Sequence, residues 1–168
     1  IVFGQGPGSF TGLRIAVGVV QGLGYGLNIP VVPVSSLACL AQAAYERSGH
    51  TQIVVALHAR QEEVFLGTYQ VTDGIASLSA NEMVIDVKDI SQTLTDDWIG
   101  VGDGWILREQ LETAFKAEMQ NVTMDVYPDP EALLNLGIDG FKSGRSIDAL
   151  NARPEYLREQ VATPSKNL

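Results

Sequence analysis

Glycine recurs at every fourth position, Gly18, Gly22 and Gly26, within the stretch LRIAVGVVQGLGYGL. That spacing belongs to a helix, because residues four apart sit one above the other on a single face. Gly12 and Ala16 fall near the same face, so one side of the helix is almost without side chains. Each glycine costs about 0.5–1 kcal/mol of helix stability relative to alanine. Something must offset that loss, and what a bare face gains is the close approach of another backbone, as in packing between helices with small residues four apart. Two partners could supply it: the chain's own sheet or another subunit. The first fifty residues carry only three charges, Arg14, Glu46 and Arg47. A segment so poor in charge must be covered on several faces, which favours the subunit interface.

Ahead of this helix lies GQGPGSFTG, residues 4–12. A P-loop requires a lysine to reach the outer phosphates and a hydroxyl for magnesium, but the first lysine of the chain is Lys88. A dinucleotide fingerprint requires G-x-G-x-x-G with an acidic residue about twenty positions on. Counted from Gly4 the third glycine position holds Ser9, counted from Gly6 it holds Thr11, and the second strand ends in Ser35-Ser36. A nucleophile elbow, G-x-S-x-G, fails because Pro7 and Thr11 flank Ser9 two residues away. What remains is a set of backbone amides before a helix, with Ser9 or Thr11 as its cap. Such an arrangement can hold an anion, but it serves equally as a plain tight turn, and the turn is the preferred reading.

The pattern along the chain alternates strand and helix. A strand over 1–3, a helix over about 11–27, a strand over 31–34 and a helix over 37–48 form a β-α-β-α run. Ser35 or Ser36 caps the second helix, Gly49 closes it, and Leu37, Leu40, Ala41 and Ala44 make its apolar stripe. Two strands joined near Ala59–Glu62 follow, and SLSANEMVIDV extends the antiparallel set. Trp98–Val101 is expected as a short strand, Gly102–Gly104 as a turn, and Trp105 to about Ala117 as a helix. Asp129 and Pro130 start a further helix that runs toward Ser143 and is closed by Gly144. The tail is expected to pack through Tyr156 and Leu157. No repeat period and no low-complexity linker interrupts this α/β pattern.

Composition narrows the function classes. The chain has 168 residues and a net charge of −9. Residues 51–130 hold four basic and fourteen acidic side chains, and residues 131–168 balance five against five. An autonomous nucleic-acid binder needs a basic surface to displace counterions from phosphates, so binding of RNA or DNA by this chain alone is not expected. No apolar run approaches the roughly 20 residues that a membrane span needs. One cysteine, Cys39, cannot make an internal disulfide, which with the lack of a leader pattern points to the cytoplasm. Cys39 lies among apolar helix residues and reads as an inert buried thiol. His50, in the polar stretch RSGHTQ, is expected to be exposed, and His58, in IVVALH, to be structural rather than catalytic. No metal and no cofactor is called for. The chain starts with Ile1-Val2-Phe3 and no methionine, as if a strand were entered halfway, and further residues are expected upstream.

The segments GQGPGSFTGLRIAVGVVQGL, IPVVPVSSLACLAQ, HAR with EEVF, VGDG and finally RPEYLR occur in this order over nearly the whole chain, and together they resemble the TsaB family, also called YeaZ. The pairing of GPGSFTGLR with a terminal P-x-YLR is specific in a way that no single glycine motif is. The resemblance implies an actin/Hsp70-like α/β fold of the ribonuclease H-like type, two-lobed with mixed sheets and flanking helices. Residues 1–50 would be the remainder of the first lobe and residues 51–168 the second lobe and C-terminal segment. Such families begin with a hairpin carrying an Asp-Thr phosphate motif, which is absent here. The resemblance further implies a non-catalytic subunit of the bacterial machinery that places threonylcarbamoyl on adenosine 37 of tRNA. Its partners would be the catalytic subunit TsaD and the ATPase TsaE, with tRNA reached only through the complex and a homodimer formed in isolation. In TsaD the stretch PVHHMEGH supplies two metal-binding histidines, where this chain has Ser36 and Leu40, neither suited to such a site. The glycine-faced helix would meet the partner, making Gly12, Arg14, Ile15, Gly18, Val19, Gly22 and Gly26 the candidate interface. Two departures stand out: the family D-A-R reads His58-Ala59-Arg60, and G-E-V-Y reads Glu62-Glu63-Val64-Phe65, which leaves the role of those side chains open. The rival reading is an enzyme of the same superfamily, a nucleotide-dependent transferase or a metallopeptidase.

Overall fold

The computed structural model describes residues 1–95 and 97–157, and it is mixed α/β as the sequence pattern requires. Strand β1 (Val2–Gly6) leads into helix α1 (Phe10–Leu27), strand β2 (Val32–Ser35) and helix α2 (Ser36–Ser48). Strands β3 (Gln52–Arg60) and β4 (Glu63–Thr72) form a hairpin across Gln61 and Glu62, and β5 (Ile75–Leu78) and β6 (Met83–Asp86) both pair antiparallel with β4. Strand β7 (Ile99–Val101), helix α3 (Arg108–Phe115), strand β8 (Asn121–Thr123) and helix α4 (Pro130–Lys142) complete the order. β1 and β2 make a two-stranded parallel sheet, while the larger sheet runs β5-β4-β3-β7-β8 with β7 and β8 parallel to β3.

β3 is buried on both faces, because alternate residues of a strand point to opposite sides. Ile53 and Val55 join β2, α2 and α4 in one apolar cluster with Val34, Leu37, Leu40 and Leu136. Val54 and Ala56 face the other way, into a second cluster with Val64, Trp105, Leu111 and Phe115. A third, smaller cluster lies beneath α1, where Val17 and Val20 meet Phe3, Val31, Ala149 and Ala152. At its outer margin β2 is tied at one point, where Val31 and Ile147 exchange backbone hydrogen bonds of 3.0 and 2.8 Å. The Val32 N–H bonds inward to Ile1 at 2.7 Å, so its neighbour Pro33, which has no N–H, faces away from β1.

Caps match the sequence. The Ser35 hydroxyl accepts from Leu37 and Ala38 at the start of α2, Gly49 closes it in the left-handed region, and Asp129 with Pro130 opens α4. Three expectations are corrected. The helix expected from Trp105 begins as a 3-10 turn over Asp103–Leu107 and is α-helical only over Arg108–Phe115, ending at a left-handed Lys116. The cause is tertiary: Trp105 is seated under Gly100 with its Nε1–H on the Val54 carbonyl at 3.2 Å, and the backbone at Gly104 is pressed against Ala56. Trp98 lies outside β7, and β8 was not foreseen at all, since its three residues alternate exposed, half-buried, exposed. Finally, His50 is half-buried rather than exposed. Among the described residues no helix is long and apolar enough to cross a membrane.

Candidate partner interface

The loop before α1 is a turn that aims the helix. Gly6 sits at φ +116°, and a Cβ there would lie 2.9 Å from Leu13 and 3.0 Å from the Glu155 carbonyl, so only glycine fits. The Ser9 hydroxyl, rather than that of Thr11, caps the helix by accepting from the Gly12 N–H at 3.3 Å. At the far end Asn28 adopts the left-handed region and its N–H bonds the Gly24 and Tyr25 carbonyls.

The buried stripe of α1 is Leu13, Val17, Val20 and Gly24. At 100° per residue, Gly18, Gly22 and Gly26 lie on the opposite side of the helix. A Cβ built on any of the three meets nothing within 4 Å among the described residues, so the reading that this glycine face packs on the chain's own sheet does not hold. The glycine that does serve internal packing is Gly24, which the pattern of fours had passed over: its Cβ would fall 2.5 Å from Ala149 and 3.0 Å from Val31.

Large apolar side chains border the bare face and are open to solvent. Ile15 is 62% exposed, Val19 54% and Leu23 51%. Phe10, Tyr25 and Leu27 are exposed as well, and Arg14 is the only charge on the helix. Its guanidinium lies 3.7 Å above the Phe10 ring, a cation–π contact that leaves the head group at the rim. The structure thus brings Gly12, Arg14, Ile15, Gly18, Val19, Gly22 and Gly26 onto one exposed side of one helix. Leu23 borders the same face; its position four residues after Val19 and eight after Ile15 was the signal for it.

The C-terminal segment braces this helix from behind. The Glu155 N–H bonds the Gln5 carbonyl at 2.8 Å, Gln21 Nε2 donates to the Ala152 carbonyl at 2.9 Å, and Tyr156 stacks on Phe10 with centroids 6.0 Å apart. Leu157 packs against the first apolar cluster, and Arg158 of RPEYLR lies outside the described residues. The motif therefore fixes the loop and helix in place.

The other singled-out residues do not converge. The His58 N–H donates to Asp103 at 2.9 Å and its ring Nε2 lies 3.0 Å from the Gln61 carbonyl, at an exposed hairpin tip. Cys39 is buried, its thiol donates to the Asp129 carbonyl at 3.5 Å, and burial pushes its pKa up, away from thiolate reactivity. Leu40 is buried in the core. Among the described residues no three His, Cys, Asp or Glu side chains are grouped to hold a metal ion.

The family model described as TsaD, tRNA N6-adenosine threonylcarbamoyltransferase, matches residues 1–163. The tRNA threonylcarbamoyladenosine biosynthesis protein TsaB of Escherichia coli K12 is 34% identical over 166 residues, which is 96% of this chain and 71% of that protein. Its counterpart in Haemophilus influenzae is 32% identical, with 96% and 70% covered. In Bacillus subtilis the protein of the same name is 29% identical, with 94% and 69% covered. Among solved structures, YeaZ from Pseudomonas aeruginosa superposes with a TM-score of 0.85 at 38% identity, over 93% of this chain and 73% of that one.

Proposed function

We propose a function from the premise that this chain belongs to the TsaB family of tRNA threonylcarbamoyladenosine biosynthesis proteins. It acts in the cytoplasm as a non-catalytic subunit that the TsaD-like catalytic subunit requires, with a TsaE-like ATPase as third member and tRNA reached only through the assembled complex. The observation that carries this reading is the exposed glycine face of α1, bordered by Ile15, Val19 and Leu23. Three helix-weakening glycines with no neighbour among the described residues are accounted for by a partner helix that lies against them. In isolation a second copy of the chain uses the same face. Ser36 and Leu40, at the positions where TsaD carries metal-binding histidines, support a scaffold role, since neither can act as such a ligand pair.

The test is reconstitution. The chain is run on size exclusion with and without its TsaD-like partner, and threonylcarbamoyl transfer to tRNA is assayed with each component left out. The expected result is a co-eluting complex, no transfer by the chain alone, and none by the partner without it. Transfer, ATP turnover or peptide cleavage by the isolated chain would favour a nucleotide-dependent transferase or a metallopeptidase instead.

A further inference from the structure

Helix α4 carries a second apolar face that is open to solvent. Its buried side is Ala132, Leu136, Gly137 and Gly140. A Cβ on Gly137 would fall 2.6 Å from Val2, and one on Gly140 2.7 Å from Val32, so the helix backbone is seated directly on β1 and β2. On the outside Leu134 is 51% exposed, Ile138 43% and Phe141 60%. These positions follow one another at i, i+4 and i+7, which makes a single apolar row. Glu131 stands at one end of the row and Lys142 at the other, both exposed. At 100° per residue all five fall within an arc of about 100°, opposite the buried side.

The polar groups beside the row are already engaged. Asp129 meets Arg47 at 3.6 Å, Asp139 pairs with Arg145, and Glu46 accepts from Asn135 at 2.9 Å. Among the described residues Glu131 and Lys142 form no ion pair. An acid in the first turn and a base in the last suit the helix dipole, but that leaves the apolar row between them without a reason. Along the axis the two charges lie about 16 Å apart. A second copy related by a two-fold axis level with the middle of α4, between Leu136 and Gly137, runs antiparallel to the first. Glu131 of each copy then comes level with Lys142 of the other, at both ends of the contact. Ile138 lies beside its own counterpart near the axis, and Phe141 comes within about 3 Å along the helix of the other copy's Leu134. A two-fold contact needs a self-complementary surface, and this row is one, acid against base at both ends and apolar against apolar between them. A partner of a different sequence asks for no such match between the two ends of one helix.

We propose that α4 is a self-association face, on which a second copy of this chain packs antiparallel through Leu134, Ile138 and Phe141 with Glu131 and Lys142 paired across the axis. Phe3 turns toward α1 and Val2 toward α4, so the two helices cover opposite faces of the small sheet. The α4 face is therefore open whether or not a partner occupies α1. One helix row is smaller than a standard interface, which sets the dissociation constant near about 100 μM.

The experiment is sedimentation equilibrium from micromolar to millimolar chain, with Gly22→Leu as the reference so that the α1 face does not contribute. The reference should show a monomer–dimer equilibrium, which Ile138→Asp weakens at least tenfold. Glu131→Lys and Lys142→Glu, each added to the reference, should weaken it about tenfold, because every dimer then holds two like-charged pairs. An equimolar mixture of those two variants should regain the reference affinity, since both pairs between unlike copies are again opposite in sign. A reference that stays monomeric at millimolar concentration, an undiminished dimer of Ile138→Asp, or a mixture no tighter than its components overturns the proposal. So does a collapsed melt of Ile138→Asp, which would mean that the chain itself covers the row. Loss of the TsaD-like partner by Ile138→Asp with self-association intact would give the row to that partner instead. If Gly22→Leu does not fold, the mixture comparison in the otherwise unaltered chain decides alone.

Discussion

Single side chains set the local energetics in two places. Gln42 is 1% exposed on α2, yet its amide is fully used: Nε2 donates to Glu46 and to the Gly74 carbonyl at 2.9 Å each, and Oε1 accepts from the Ala76 N–H at 2.8 Å. Gln42→Leu strands a buried backbone N–H and carbonyl at the β4–β5 turn, and should cost about 2–4 kcal/mol in urea unfolding. A loss under half a kcal/mol would mean that water replaces the amide. Glu82 behaves oppositely. Its pKa is raised above the ordinary 4.5, mainly by burial, so the neutral form suits the folded state. The associated stability is fully present below pH 4.5 and is lost as pH rises through the folded value. Glu82→Gln should therefore gain on the wild type between pH 4 and pH 7 in denaturant melts, and parallel curves would contradict the raised pKa. Neither residue was legible in the sequence as more than a polar position. Their roles arise from strands and helices distant in the chain, and no local spacing encodes such contacts.

At the scale of an element, α1 carries two kinds of glycine with opposite expectations. Gly22→Leu places its side chain in open space, so the helix should gain about 0.5–1 kcal/mol while association with the partner is lost. Gly24→Ala drives a methyl to within 2.5 Å of Ala149, and should destabilise the fold by about 1–3 kcal/mol through overpacking. Thermal melting beside a binding titration separates them; a collapsed melt for Gly22→Leu would remove the interface reading. The sequence made the helix, its glycine face and the caps at Ser35, Gly49 and Asp129 legible, because helix periodicity and capping are local signals. It did not separate Gly24 from its neighbours, since both kinds cost the helix the same and differ only in what lies opposite. β8 escaped for a related reason: with one half-buried residue in three, its pairing with β7 and not its composition makes it a strand.

For the whole molecule, charge decides what the chain can do unaided. With a net charge of −9, the isolated protein should bind naked tRNA no more tightly than millimolar at physiological salt, and binding should appear once the partner is added. A salt-sensitive micromolar complex in filter binding would reverse that view. The α/β class and the bare glycine face of α1 could be read early because they rest on periodicity. A cavity between β2 and β5 could not, because it exists only once two sheets and α4 come together. The two-stranded sheet also limits how molecules of this kind can add to one another. Pro33 sits on the outer side of β2 and has no proton to offer, so strands can join this sheet at β1 far more readily than at β2. Two copies that met edge to edge through β1 would present proline to the solvent at both ends. Such a pair is a terminated unit: it closes on itself after one step, and the route to a growing fibre through this sheet is shut.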